Sequence, residues 1–442
     1  MPRVLRLAFP VLFVMAVVIA LVLSPGVQRP ERVVRRERES RTTLHASQGG
    51  LPRLSRSAFV ADGQSSELEG LAAMLGDVLW ADLGYEDAFD LLPVTPPGEK
   101  PADADGVVSG RVRLEDGAVH LEVRIREATG CQLTFAREYV GSEAAARQIA
   151  HVAADEILRD QAGIQGMADS RLAFVSDRLG AFKDPTGSPR RVKEIFVSEY
   201  DGADQVRVTT DGDLDLTPSW SPDGRVLAYT SYRRGFQDIF VTDLGTRRQS
   251  SPTSGRGPNW LPAWSPDGNQ IAFTSTRDGN AEIYVMNADG TACRRLTTNW
   301  AIDTSPAWSP DGKQIAFTSN RTGSPQIWVM DADGSNPRAL TSEKDCDRPT
   351  WSPGPVDEIA YVSLTRSGFD IEVIDMATRR VRQLTSGLGN ESPAFSPNGR
   401  HIAFTSTRTG TQQIWTMTRM GTELRQVTRI GNNSMAAWSR SR

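Results

Sequence analysis

The chain has 442 residues, a formal net charge of -4, 39% hydrophobic residues and 24% charged residues. This is ordinary globular composition with room for two or three domains, and no basic stripe interleaved with aromatics suggests a nucleic-acid partner. Three cysteines, Cys131, Cys293 and Cys346, are too few for a disulfide framework and contain no CxxC pair.

Arg3 and Arg6 precede an apolar run from Leu7 to Leu23, broken only by Pro10. Residues 1–24 are therefore expected to be a secretion signal or a signal-anchor. About 17 residues is the lower limit for crossing a bilayer, and Ser24-Pro25-Gly26 makes a poor cleavage site. Between Arg29 and Arg41 stand six Arg against three Glu. Residues 25–54 are expected to form a flexible Arg-rich tether.

Residues 55–165 predict a small α/β domain with two helices and a mostly antiparallel sheet. Ser57 to Ala61 is an expected first strand. Ser66-x-x-Glu69 has the form of a capping box, opening a helix that places Leu68, Leu71, Ala72, Leu75, Val78 and Leu79 on one face. Alternating strands from Val107 to Leu114 and from Val119 to Ile125 flank Asp116-Gly117, a hairpin signal. A third strand, Leu133 to Val140, precedes a helix from Ser142 to Leu158.

From Gly166 onward one phrase recurs. Pro262-Ala263-Trp264-Ser265-Pro266-Asp267-Gly268, followed by Ile271 to Ser275, returns at Pro306 to Ser319, and looser copies centre on Trp220, Trp351, Phe395 and Trp438. These aromatics are spaced by 44, 44, 43, 44 and 43 residues, a period that predicts a β-propeller. The first apolar strand, at Leu172, has no Trp phrase before it, and Trp438 has no second strand after it. Joining the two orphans closes a six-bladed ring over residues 166–442 and leaves no open sheet edge.

Candidate chemistry is sparse. Asp211, Asp213 and Asp215 alternate like the start of a calcium loop, but Leu216 stands where its Gly belongs and Pro222 where its Glu belongs. His45, His120, His151 and His401 are scattered, and no G-x-S-x-G elbow exists. No catalytic, cofactor or metal site is expected. Arg178, Arg233, Arg277, Arg321, Arg366 and Arg408 follow the second strands in register; they form either an anion-binding collar or, as their repetition favours, part of the blade architecture. What varies is the lead-in to each Trp strand: Asp215, Trp260, Asp303 with Thr304, Asp347 with Arg348, Asn390 with Glu391, and Asn433. These polar residues around one propeller mouth are the expected partner-binding surface, with Trp260 its expected anchor.

Taken together, the chain resembles the TolB family, the periplasmic propellers of the Tol–Pal system. The resemblance rests on the α/β domain, on Gly163-Ile164-Gln165-Gly166 leading into Arg171-Leu172-Ala173-Phe174-Val175, on Ser198-Glu199-Tyr200-Asp201-Gly202-Ala203-Asp204-Gln205, and on the stop after Ala436-Ala437-Trp438-Ser439. It implies a non-enzymatic scaffold that binds the peptidoglycan-associated lipoprotein Pal over the propeller mouth. It also implies contact with TolA through the N-terminal segment, and a role in envelope integrity and cell division. The poor cleavage site departs from that pattern and leaves retention at the inner membrane open. The alternatives are an exported propeller binding another peptide or small ligand, and a propeller-based enzyme.

Overall fold

The computed structural model describes residues 33–37, 43–44, 46, 50–94, 103–129, 132–183, 189–253 and 257–441. The expected signal segment and Cys131 lie outside them. Six four-stranded sheets form a propeller, preceded by an α/β domain with one mixed sheet and two helices.

In the α/β domain, strands Gly106–Glu115, Ala118–Glu127 and Leu133–Ser142 form an antiparallel meander. Its tight turn places Asp116 and Gly117 at φ 51° and 75°, the left-handed pair a two-residue hairpin requires. Helices α1 (Ser66–Tyr85) and α2 (Ala146–Ala162) pack on the sheet around Leu75, Leu79, Val112, Val123, Ile149 and Ile157. Ser65, not Ser66, caps α1, and it makes no side-chain capping bond. The first expected strand is displaced to Arg53–Arg56 and Val60–Ala61, because Leu54 supplies the buried apolar side chain. Part of the expected tether is also structured: Val34–Glu37 pairs with the edge of the meander, covering backbone groups that would otherwise stand open.

Blade 1 is closed by the two chain ends of the propeller. Asn433–Trp438 pairs antiparallel with Arg171–Ser176, from Asn433↔Ser176 to Trp438↔Leu172, as the orphan strands predict. Blades 2 to 6 begin at Asp215, Asn259, Asp303, Cys346 and Glu391. Each inner strand carries a register shift midway. There a non-glycine residue adopts positive φ: Thr217, Leu261, Ser305, Arg348, Ser392 and Met435. A proline follows in five of the six; the innermost strand is an edge, so its missing N–H costs no ladder bond.

The turn after each Trp is held by its own side chains. Ser265 Oγ donates to Asp267 Oδ1 at 2.5 Å and accepts from Gln270 N at 2.9 Å, while Gly268 takes φ 76°. Asn398 repeats this arrangement in blade 6 and also reaches the α/β domain, donating to Glu86 at 2.8 Å. Around that contact lie Arg400 to Glu86 at 2.9 Å and α2's Arg147 to Glu199 at 2.9 Å. At Gly166 a Cβ would fall 2.1 Å from Asp155 Oδ1, so only glycine passes beneath α2. The α/β domain therefore sits against the Ser-Pro-Asp-Gly face at blades 1 and 6. Among the described residues, no domain packs on the opposite face, which is built from the lead-in loops.

Candidate functional site: the lead-in face and the tunnel

The Arg series is architectural. Arg321 donates to Ser319 Oγ at 2.8 Å and to Asp303 at 2.7 Å, and its guanidinium lies 4.6 Å over the Trp328 ring. Arg277, Arg408 and Arg178 meet Asn259, Asn390 and Asn433 in the same way. Such stacked, hydrogen-bonded guanidinium groups brace a blade and are not free to collect an anion. Blade 5 breaks the series: Cys346 replaces the Asx, and Arg366 is exposed.

This bracing corrects part of the expected partner surface. Asp215, Asp303, Asn390 and Asn433 have no exposed area. Each is the Asx that its blade's Arg faces, so it lies inside a blade junction and cannot meet a partner. Asn259, Asn390 and Asn433 also donate across the junction, to Asp238, Asp370 and Gln413. Asp215 lacks that amide. Neither of its oxygens has a well-formed hydrogen bond, and burial, then the Asp211 carboxylate, pushes its carboxyl up to about 8. Ser231 and Thr209 hydroxyls offset only part of this.

One oxygen each from Glu194, Asp211 and Asp215 lie within 4.8 Å of one another. Arg207 pairs with Glu194 at 2.6 Å and Arg233 pairs with Asp211, so the trio already has two cations.

The remaining expected residues keep exposed area. Asp347 is exposed, Thr304, Arg348, Glu391 and Trp260 are half-buried, and Arg348 lines the central tunnel. Trp260 is not the outstanding anchor. Trp300, at 75% exposure, stands in the loop before Asp303 and was missed because it precedes the repeated phrase. Ile302, Leu364, Phe369 and Leu388 are also exposed. The first three of these line one groove of about 360 Å³ between blades 4 and 5, together with Thr304, Cys346 and Val362. The loop carrying Leu388 is tied to it by Asn390 N donating to Phe369 O at 2.9 Å. These are the large apolar side chains that this face leaves exposed around blades 4 to 6.

The tunnel itself has a volume of about 650 Å³ and is lined by the inner strands, with Gln165 and Ser441 among its lining residues.

A further polar cluster joins the domains. Buried His151 contacts Asp82 at 2.7 Å and Glu199 at 3.0 Å, and Tyr200 donates to Asp82 at 2.6 Å. Burial disfavours the imidazolium, but Asp82 and Glu199 outweigh it and hold His151 well above its usual range. Burial also opposes ionisation of Glu199, yet His151 and Arg147 bring it down to about 2.

Residues 159–442 match the TolB beta propeller domain family. The chain belongs to the TolB propeller family. Among curated relatives, it is 38% identical over 171 residues to the Tol-Pal system protein TolB of Geobacter sulfurreducens, covering 36% of this chain and 37% of that one. It is 37% identical over 132 residues to the Tol-Pal system protein TolB of Desulfosudis oleivorans, covering 30% and 28%. The chain thus spans well under half the length of these curated TolB relatives. The crystal structure of TolB from Acinetobacter baumannii superposes with a TM-score of 0.74 over 92% of this chain and all of that one. At 24% identity this last likeness shows the shared fold.

Proposed function

We propose that the protein is a non-enzymatic, exported periplasmic scaffold of a Tol–Pal-type system that docks a Pal-like peptidoglycan-associated lipoprotein on its lead-in face. The observation that carries this reading is the position of the apolar crescent, Trp300, Ile302, Leu364, Phe369 and Leu388. Ile302, Leu364 and Phe369 line a groove on the face the α/β domain leaves free, and Trp300 and Leu388 stand in the loops that lead into blades 4 and 6. Half-exposed aromatic and aliphatic anchors bordered by Asp347 and Glu391 have the make-up of a docking patch with a polar rim. Membership of the TolB propeller family supplies the class of partner, and the relatives' names place them in the Tol-Pal system. Through the α/β domain and the segment before it, the scaffold would reach a TolA-like inner-membrane protein and so couple the two membranes in envelope integrity and division.

Among the described residues, no helix is long and apolar enough to cross a membrane. The apolar run before residue 24 is proposed to direct export, with retention at the inner membrane if it stays attached. Affinity purification of the tagged full-length protein from envelope extracts tests the proposal. Recovery of a Pal-like lipoprotein, lost with Trp300→Ala, is expected; recovery of none contradicts it.

A further inference from the structure

The blades are near-copies at the tunnel wall, so the residue that differs there is informative. At the bulge position five blades place Thr217, Leu261, Ser305, Ser392 or Met435, and blade 5 places Arg348. Among the described residues, the charged side chains in the tunnel lining are Arg348 and Arg440, and no Asp or Glu joins them. Arg348 Nη1 donates to Ser392 Oγ at 2.8 Å.

Its neighbour Asp347 does not consume the guanidinium. Asp347 Oδ1 accepts from Thr318 at 2.8 Å, from Ser305 at 3.1 Å and from the Arg348 N–H at 2.7 Å. The Arg348 Nε contact to its Oδ2 is only a loose 3.9 Å. Nη2 has no acceptor among the described residues. Asp347 also lines the apolar groove of Ile302, Leu364 and Phe369, so groove and tunnel mouth share one wall.

We propose that Arg348 and the hydroxyls beside it form a carboxylate subsite, coupled across that wall to the apolar groove. The occupant is a segment of the docked partner with a carboxylate beside a large apolar side chain. The carboxylate enters the tunnel mouth to meet Arg348 Nη2, and the apolar group fills the space over Phe369. This rests on the reading that a partner docks on the lead-in face, and it deepens that reading by naming what the partner must present. Loss of one charge-assisted bond of this type should leave a neutral isostere about tenfold weaker.

The test needs no macromolecular partner, so its failure is separable from failure of the docking proposal. N-acetyl-tryptophan, its neutral amide and acetate are titrated by NMR into the full-length protein and into Arg348→Gln, Arg348→Lys and Phe369→Ala variants of matched thermal stability. The acid is expected to bind about tenfold tighter than the amide, with that preference lost in Arg348→Gln and partly kept in Arg348→Lys. Phe369→Ala should weaken acid and amide alike. Equal binding of acid and amide, a preference that survives Arg348→Gln, or no binding at about 10 mM, where millimolar affinity would saturate, would overturn the subsite. Acetate binding as tightly as the acid would show a free-anion site and overturn the coupling to the groove.

Discussion

Replacing Asp215 by the amide found in its sister blades should stabilise the ring, and increasingly so as pH rises. In three other blades the equivalent Asn donates across the junction and accepts from its Arg: Asn259 joins Asp238 to Arg277, Asn390 joins Asp370 to Arg408, and Asn433 joins Gln413 to Arg178. Asp215 stands beside Glu194 with no amide to donate, and Arg233 lies 4.0 Å away. Its carboxyl is raised to about 8 in the fold, against about 3.9 unfolded. The folded state therefore holds the proton more tightly, and stability from this group falls as pH climbs from about 4 through 8. Asp215→Asn removes that loss and adds a hydrogen bond to a charged acceptor, worth ~1.5–3 kcal/mol. For a domain of this size that corresponds to a rise of roughly 5 °C in Tm. Thermal unfolding of both proteins at pH 5 and pH 9 is the assay. A larger gain at pH 9 is expected; an equal gain at both values, or a loss, would refute the reasoning.

Other perturbations probe the bracing and the domain junction. Arg321→Met strips the cation from buried Asp303, and leaving a buried charge unpaired should cost ~3–5 kcal/mol, measured by denaturant unfolding. Because His151 is held above its usual range, its contribution is full below about 6.5 and fades as pH rises through the elevated value. Limited proteolysis between the domains should accelerate at alkaline pH in the wild type, and His151→Gln should be cleaved fast at every pH. Gly166→Ala should loosen the same junction, since its Cβ would strike Asp155; hydrogen exchange in α2 reports it.

The ring was legible because each blade repeats a local grammar of Trp, Ser-Pro-Asp-Gly and an alternating strand, and because Leu172 and Trp438 were complementary orphans. The architectural reading of the Arg series also stands, with Arg366 departing from it. The candidate surface was only half legible. Polar residue type and loop position cannot distinguish Asp303, sealed beneath Arg321, from Asp347, which is exposed. That difference depends on which way a strand residue points once the bulge is formed. Trp300 escapes the sequence reading for want of the same information: it follows an asparagine as Trp260 does, but Trp260 lies in a strand while Trp300 stays in the loop. The His151 cluster was invisible, since Asp82, His151 and Glu199 meet only when two domains pack.

The central claim, that the lead-in face docks a Pal-like partner, is tested most directly by calorimetric titration of the chain with the soluble domain of a Pal-like lipoprotein from the same cell. The wild type should bind, and Trp300→Ala with Phe369→Ala should lose at least ~2 kcal/mol, about thirtyfold, with unchanged thermal unfolding. Undiminished affinity in that double variant would contradict the account.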